Sequence, residues 1–368
     1  MATYNGTSGD NKLQGWDGDD FLYGFAGNDE LNGGADADTM YGGTGNDNYF
    51  VENAGDVVVE LAGEGNDEIR VTVITSYAMS AHVEKMKFLG QTDFTGYGNA
   101  QNNDITGNFY NDTLYGGDGH DTLTGNQGND WLEGGAGSDT LIGGLGNDTL
   151  IGGTGNDTYI YDWGGDTIIE LPGEGIDHVK VISSASFTLA AEIENGTTAP
   201  TGNGGIDGNA SDNLLTGGAG NNGLQGHDGN DELYGMGGND FLGGGEGDDL
   251  LVGGMGADEI FGLGGTDLIR YGDAAESGVG SLSDRIYEFW SGIDQIDLSA
   301  IDANVNVTGD QAFSFIGTNA FSGVAGQLRY GWVGYFNVVQ ADLNGDSVAD
   351  FELRMSGSLD ITASDFML

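Results

Sequence analysis

Residues 134–160 read GGAGSDTLIGGLGNDTLIGGTGNDTYI, which is one nine-residue phrase written three times. Each copy has glycine at positions 1, 2 and 4, aspartate at position 6 and an apolar residue at position 8. This period constrains the fold more than any other feature. A nine-residue unit cannot bury a core by itself, so it must stack on its neighbours as one coil of a solenoid. The phrase runs in three arrays: five copies over 6–50, seven over 98–160 and seven over 208–270. A second period lies above the first. GGTGNDNYFVENAGDVVVELAGEGNDEIRVTV from Gly42 realigns with GGTGNDTYIYDWGGDTIIELPGEGIDHVKVIS from Gly152, a shift of 110 residues. The inserts, 51–97 and 161–207, are poorer in glycine and carry β-branched runs such as DVVVE and DTIIE. They are expected to form short strands packed beside the arrays. A tail, 271–368, holds most of the large aromatics.

Composition narrows the alternatives. Glycine numbers 72 but proline only 2, which excludes collagen, and the regular apolar residues exclude a flexible linker. Asp and Glu number 59 against 9 Lys and Arg, for a formal charge of −50. Such a chain repels itself and attracts cations; charge will not bring it to nucleic acid or to an anionic membrane face. With no cysteine, disulfides and thiolate metal sites are excluded. The opening MATYNGTSGDNKLQG has neither a basic nor an apolar leader region, so no cleaved signal peptide is expected. No run is long and apolar enough to insert in a membrane as a helix.

Within the phrase, glycine permits positive φ and close backbone approach, and positions 7–9 read as a three-residue strand with position 8 inward. A turn and a short strand, repeated, make a parallel coil. If two copies close one turn, copies i and i+2 stack, and their position-6 aspartates lie ~4.8 Å apart. Like charges at that distance cost ~0.9 kcal/mol in bulk water and ~3.5 kcal/mol at an effective dielectric of 20. The few lysines and arginines cannot neutralise such a ladder, so bound cations must. Carboxylate and carbonyl oxygens on irregular loops suit a hard ion with flexible coordination, which is calcium rather than zinc or magnesium. The four histidines, His82, His120, His178 and His227, do not recur as ligands would and read as turn and insert residues.

The phrase resembles the calcium-binding nonapeptide of the RTX (repeats-in-toxin, haemolysin-type) proteins. The resemblance implies an all-β fold of right-handed parallel β-rolls, with multiple Ca²⁺ ions held between successive loops by position-6 aspartates and loop carbonyls. Carried over copy by copy, the implied ligands are Asp20, Asp29, Asp38 and Asp47 in the first array. The second array supplies Asp112, Asp121, Asp130, Asp139, Asp148 and Asp157, and the third Asp231, Asp240, Asp249, Asp258 and Asp267. Four copies carry Asn11, Asn103, Asn213 and Asn222 instead, all at array starts, where no earlier loop can share an ion.

The tail, with DRIYEFWSGIDQIDLSAIDANVNV and a terminal ITASDFML, resembles the C-terminal region of serralysin-type secreted metalloproteases. That resemblance implies a β-sandwich-like cap and an uncleaved type I secretion signal ending in Asp365-Phe366-Met367-Leu368, hence the type I secretion apparatus as a partner and a secreted or cell-surface location. A solenoid end needs a cap, and Tyr287, Phe289, Trp290, Phe313, Phe315 and Trp332 could pack one. DLNGDSVADFEL, Asp342–Leu353, begins like an EF-hand loop but has Ser347 and Leu353 where that loop needs Gly and Glu, so a turn between strands is the expectation. No H-E-x-x-H, nucleophile elbow or cysteine is present, and with the first copy starting at Gly6 no protease domain is expected ahead of it. The expected role is non-catalytic: a structural or surface-layer element, with self-assembly or cell-surface polysaccharide as possible partnerships, or alternatively an adhesin or accessory chain of a separate effector.

Overall fold

The computed structural model describes residues 1–162, 165–356 and 360–368, in two compact units, Met1–His178 and Val179–Leu368. Among the described residues there is no α-helix; strands and three short 3-10 turns make up the regular structure.

In the first unit each copy places its last three residues in a strand that often runs on through the next copy's opening glycines, as in Thr113–Asp118, Trp131–Ala136 and Thr149–Thr154. Side chains alternate across a strand, so position 8 points inward: Leu114, Leu132 and Leu150 on one sheet, and Leu123, Leu141 and Tyr159 on the other, are fully buried. Pairing is parallel and joins every second copy, Leu114↔Leu132↔Leu150 and Leu123↔Leu141↔Tyr159. One coil is therefore two nonapeptides. Two facing sheets enclose a core one side chain deep.

The first insert does not pack beside the array; it continues the coil. Asn48–Val51 pairs with Glu68–Val71, then Lys85–Phe88, then Asp104–Thr106, all parallel in one sheet. On the facing side Thr39–Thr44 pairs with Val57–Val59, and Ser76–Ala78 with Thr95–Tyr97. The reason is legible in hindsight. VENAGDVVV (51–59) and AGEGNDEIR (62–70) are nonapeptides without the first glycine. They keep Asp56 and Asp67 at position 6 and the buried Val58 and Ile69 at position 8. Two extra residues, Glu60 and Leu61, separate them, so Tyr49 pairs with Ile69 across a 20-residue coil. The second insert repeats this with Asp166, Glu170-Leu171 and Asp177, and Thr149–Thr154 pairs with Thr167–Ile169.

The second unit has the same coil. Ser186–Thr188 pairs with Gly205–Asp207 and that with Gly223–Asp228, while Asn195–Thr197 pairs with Leu214–Thr216 on the facing sheet. The tail extends both sheets: Asp284–Tyr287 adds to Glu259–Gly264, and Gln295–Asp297 to Leu268–Arg270. An antiparallel meander of Gln327–Val333, Phe336–Asp342 and Phe351–Ser356 then closes one face, and Phe366–Met367 ends the other, giving the expected sandwich-like cap. Its aromatic core differs from expectation. Phe289 and Phe313 are buried, but Trp290 and Trp332 are more than half exposed, and Tyr271 edge-on to Phe351 at 5.4 Å fills the interior instead.

At position 4 of the stacked inner copies, as at Gly137, both conformation and space call for glycine. Gly137 has φ 135°, and a Cβ there would fall on the Gly119 carbonyl oxygen of the coil below. Gly9, also at position 4, has open space and no such φ. Gly137→Ala is expected to cost about 1–3 kcal/mol and Gly9→Ala close to nothing, as read from thermal midpoints in saturating calcium.

Candidate metal centre

The position-6 aspartates line both edges of the coil, where the glycine turn enters the strand. All fifteen are buried. One oxygen of each is used to tie coils together: Asp139 Oδ1 accepts the Asp121 N–H (2.8 Å), Asp157 Oδ1 the Asp139 N–H (2.7 Å), and Asp130 Oδ1 the Asp112 N–H (2.7 Å). The third array repeats this in Asp231 to Asp249 (2.8 Å) and Asp240 to Asp258 (2.8 Å).

The second oxygen is different. In Asp29, Asp38, Asp47, Asp121, Asp130, Asp139, Asp148, Asp157, Asp231, Asp240, Asp249, Asp258 and Asp267, Oδ2 is buried with no hydrogen-bond partner. Only Asp20 and Asp112 accept an N–H there, from Trp16 (3.4 Å) and Asn108 (2.6 Å). Each free oxygen faces the position-1 glycine of its own copy. A Cβ on Gly134 would meet Asp139 Oδ2 and, at 2.7 Å, the carbonyl oxygen of Gly152 one coil on; Gly125 stands likewise between Asp130 Oδ2 and the Gly143 carbonyl oxygen (2.7 Å). Two acceptors therefore converge on a gap that only glycine leaves open.

Burial without a donor raises a carboxyl pKa, and neighbouring aspartates add to it. Desolvation pushes Asp130 up to about 8 and Asp121, Asp157, Asp240, Asp249 and Asp267 up to about 7. Asp47, Asp112, Asp231 and Asp258 rise to about 6 by the same cause, and Asp29, Asp38, Asp139 and Asp148 are raised as well. The Lys and Arg ion pairs lie elsewhere: Lys12–Glu30, Arg70–Glu68, Arg270–Asp297, Arg285–Glu259 and Arg354–Glu352. Orphaned buried anions facing carbonyl oxygens fit a hard cation with all-oxygen coordination, and the residues present suit calcium.

The asparagines at array starts show what the gap needs. Asn213 Nδ2 donates to the Ile193 carbonyl oxygen (3.1 Å), Asn222 Nδ2 to that of Gly204 (2.8 Å), and Asn103 Nδ2 to that of Val83 (3.2 Å). Here the amide supplies the positive end that an aspartate would have to obtain from an ion.

The sequence reading missed the carboxylates that continue each rail beyond the repeat. Asp56 accepts from the Asp38 N–H (3.1 Å), Asp67 from Asp47 (2.8 Å), Glu84 from Asp67 (2.9 Å), Asp166 from Asp148 (3.1 Å) and Asp177 from Asp157 (2.8 Å). In the second unit Asp284 accepts from Asp258 (2.9 Å) and Asp294 from Asp267 (3.2 Å). It also missed position 5, where Asn129 Oδ1 accepts the Asn147 N–H (2.9 Å) and Asn239 Oδ1 the Ala257 N–H (3.0 Å), an outer rail running in the opposite sense. His120 belongs to that rail: its Nδ1 accepts the Ser138 N–H (2.7 Å), so it acts as a turn residue.

The segment 342–353 forms a turn between antiparallel strands. Asp342 accepts the Gly345 and Ser347 N–H groups (2.7 and 2.9 Å), and Asp350 accepts that of Leu343 (2.8 Å). Asp365 is fully buried, accepting from Gly292 N–H (2.8 Å) and Ser291 Oγ (2.9 Å); the chain end is thus folded into the cap.

Because each aspartate serves only its own stretch of rail, Asp139→Ala is expected to be local. The substitution removes one inter-coil hydrogen bond and one free oxygen, at a cost of about 1–3 kcal/mol. A calcium titration followed by circular dichroism should show the folding midpoint displaced to higher calcium with the transition retained. Complete loss of the calcium response would contradict modular sites.

Residues 199–368 match the family described as Peptidase M10 serralysin C terminal. Residues 3–31, 26–49, 97–132 and 133–168 match the RTX calcium-binding nonapeptide repeat. No curated protein matches the chain. Similar solved structures include the solution structure of the AlgE6R3 subunit from the Azotobacter vinelandii mannuronan C5-epimerase, 20% identical over 47% of this chain and 78% of that one, with a TM-score of 0.25. The crystal structure of the extracellular lipase LipA from Serratia marcescens is 17% identical over 83% of this chain, with a TM-score of 0.28, and this chain spans 45% of its length.

Proposed function

We propose, from the premise that this chain is an RTX calcium-binding repeat protein ending in a serralysin-type C-terminal domain, that it is secreted and folds around calcium outside the cell. Its role in this reading is non-catalytic, that of a structural or cell-surface element. The carrying observation is the ladder of buried aspartate Oδ2 atoms without donors, with a carbonyl oxygen of the next coil across the glycine gap at Asp29, Asp121, Asp130, Asp139, Asp231, Asp240 and Asp249. Asp29, Asp38, Asp47, Asp121, Asp130, Asp139, Asp148, Asp157, Asp231, Asp240, Asp249, Asp258 and Asp267 would hold the ions through Oδ2; Asp20 and Asp112 would do so only by exchanging an N–H bond. Bound calcium supplies the positive charge that lets these carboxylates stay ionised inside the coil. Extracellular-type sites bind in the ~10⁻⁴–10⁻³ M range, so the chain stays unfolded at cytosolic calcium and passes a type I exporter before it folds.

The non-catalytic reading rests on the matched regions, which are repeats and a C-terminal domain, and on a sequence without H-E-x-x-H or cysteine. A ligand-binding or accessory role is favoured by a separate feature. Partly exposed rings stack along the coil faces, Tyr23 on Tyr41 at 4.8 Å and Tyr97 on Tyr115 at 5.0 Å, a ladder of ring edges that a ligand could lie against. Light scattering of the purified chain in millimolar calcium separates the two. Assembly into large particles that EGTA dissolves is expected for the structural element. A stable monomer that binds an acidic or neutral glycan column would replace that role with the ligand-binding one.

A further inference from the structure

The two-residue insertions that lengthen one coil in each insert bring a third carboxylate to the rail. In the first, Glu60 joins Asp47 and Asp67; in the second, Glu170 joins Asp157 and Asp177. In each group one carboxylate oxygen per residue lies within 4.8 Å of the others. All six residues are at least nine-tenths buried.

Three further observations point into the same space. Asp47 Oδ2, Asp67 Oδ2, Glu60 Oε2, Asp157 Oδ2 and Glu170 Oε2 are buried without a hydrogen-bond partner. A buried tyrosine hydroxyl holds each glutamate, Tyr49 on Glu60 Oε1 and Tyr159 on Glu170 Oε1, and leaves Oε2 without a partner. A cradle is kept open by glycine, since a Cβ on Gly42 would fall on Tyr49, Asp47 and Glu60, and one on Gly152 on Tyr159, Asp157 and Glu170. The arrangement occurs twice, 110 residues apart, with the same residue types at every position.

Three buried carboxylates at this spacing repel one another, and one tyrosine hydroxyl on each glutamate does not offset that repulsion. A core packed for its own sake would have used an apolar residue at 60 and 170, as the coil does at every position 8. We propose that the Glu60 and Glu170 insertions turn the repeat positions at Asp47 and Asp157 into two dedicated three-carboxylate sites for a hard divalent cation of calcium's class, tighter than the other repeat sites. The proposal takes the identity of the ion from the calcium reading above. More ligand charge on a more rigid frame tightens a calcium site, and here the tyrosine supplies the rigidity. The two sites stand at the last coils of the first and second arrays, so they fill first and fix the register across each extra pair of residues.

The test is a calcium titration of the full chain by chelator competition and calorimetry, with Glu60→Gln/Glu170→Gln beside wild type. Glutamine keeps the size of the side chain and an acceptor for the tyrosine. Wild type is expected to show two ions bound at least about tenfold more tightly than the rest, and the double variant to lose that class while keeping the weaker one. Asp139→Asn is expected to leave the tight pair intact. If the double variant does not fold in saturating calcium, the single variants are read instead, and each should lose one tight ion. A wild type with a single affinity class that these substitutions leave unchanged would overturn the proposal while the calcium reading stands. A chain that takes up no calcium at all would overturn both.

Discussion

Excess EGTA at neutral pH is expected to erase the strand signal in circular dichroism and to expand the chain to an unfolded hydrodynamic radius, with millimolar calcium restoring both. The argument is one of opposing terms. Each nonapeptide buries one substantial side chain, such as Leu114, Leu141 or Ile260, while placing one carboxylate beside another inside the coil. Neighbours at one strand spacing repel by ~3.5 kcal/mol at an effective dielectric of 20. Little that is basic stands against them: among the described residues the ion pairs of Lys12, Arg70, Arg270, Arg285 and Arg354 lie off the rails, and the Met1 amino group reaches only Asp20 at the first coil (3.8 Å). Calcium at a tenfold excess over its dissociation constant contributes ~1.4 kcal/mol per site. About a dozen sites then exceed the ~5–15 kcal/mol by which a typical domain is stable at all, so the metal decides whether the coils exist. An unchanged spectrum and an unchanged compact radius in EGTA would refute this account of the ladder.

How far the sequence revealed this structure depended on which regularity carried the information. The coil was legible because glycine, aspartate and leucine each recur at one fixed position, and a strict period of nine admits few foldings. Position 8 as core and position 6 as a buried ladder both followed from it. The continuation through the inserts was hidden by two local changes. Val51, Ala62 and Pro172 replace the opening glycine, and Glu60-Leu61 shifts the frame, so a search keyed on glycine stops at Phe50. The physical unit is the Asp-to-apolar spacing, which Asp56–Val58 and Asp67–Ile69 preserve. The asparagines at position 5 were in plain view, but a reading focused on charge had no use for an amide; their role depends on a backbone N–H that only the stacked coil brings near. Asp284 and Asp294 follow their partners by 26 and 27 residues instead of 18; no periodicity within the arrays reaches them.

Acid is expected to replace calcium in part. With EGTA present, lowering the pH from 8 towards 5 should return strand signal to the unfolded chain, with the stability gain per pH unit greatest once the pH is below about 7. The sign follows from linkage. Desolvation raises the folded-state pKa of these aspartates, to about 8 for Asp130 and about 7 for Asp121, Asp157, Asp240, Asp249 and Asp267, whereas in the unfolded chain they titrate near 4. Between those limits the folded state binds more protons than the unfolded one, so stability falls as pH rises. Below pH 4 both states are protonated and the gain levels off. The usual salt-bridged aspartate behaves oppositely, which makes the direction diagnostic. Calcium needs the ionised carboxylate, so its binding releases protons and its apparent affinity falls with acid. The two agents therefore compete for the same oxygens: calcium-loaded chain should show a folding midpoint that moves to higher calcium as pH drops, while the calcium-free chain gains structure over the same interval. A calcium-free chain that stayed unfolded down to pH 5 would mean that desolvated charge on the rails is not what keeps the coils open.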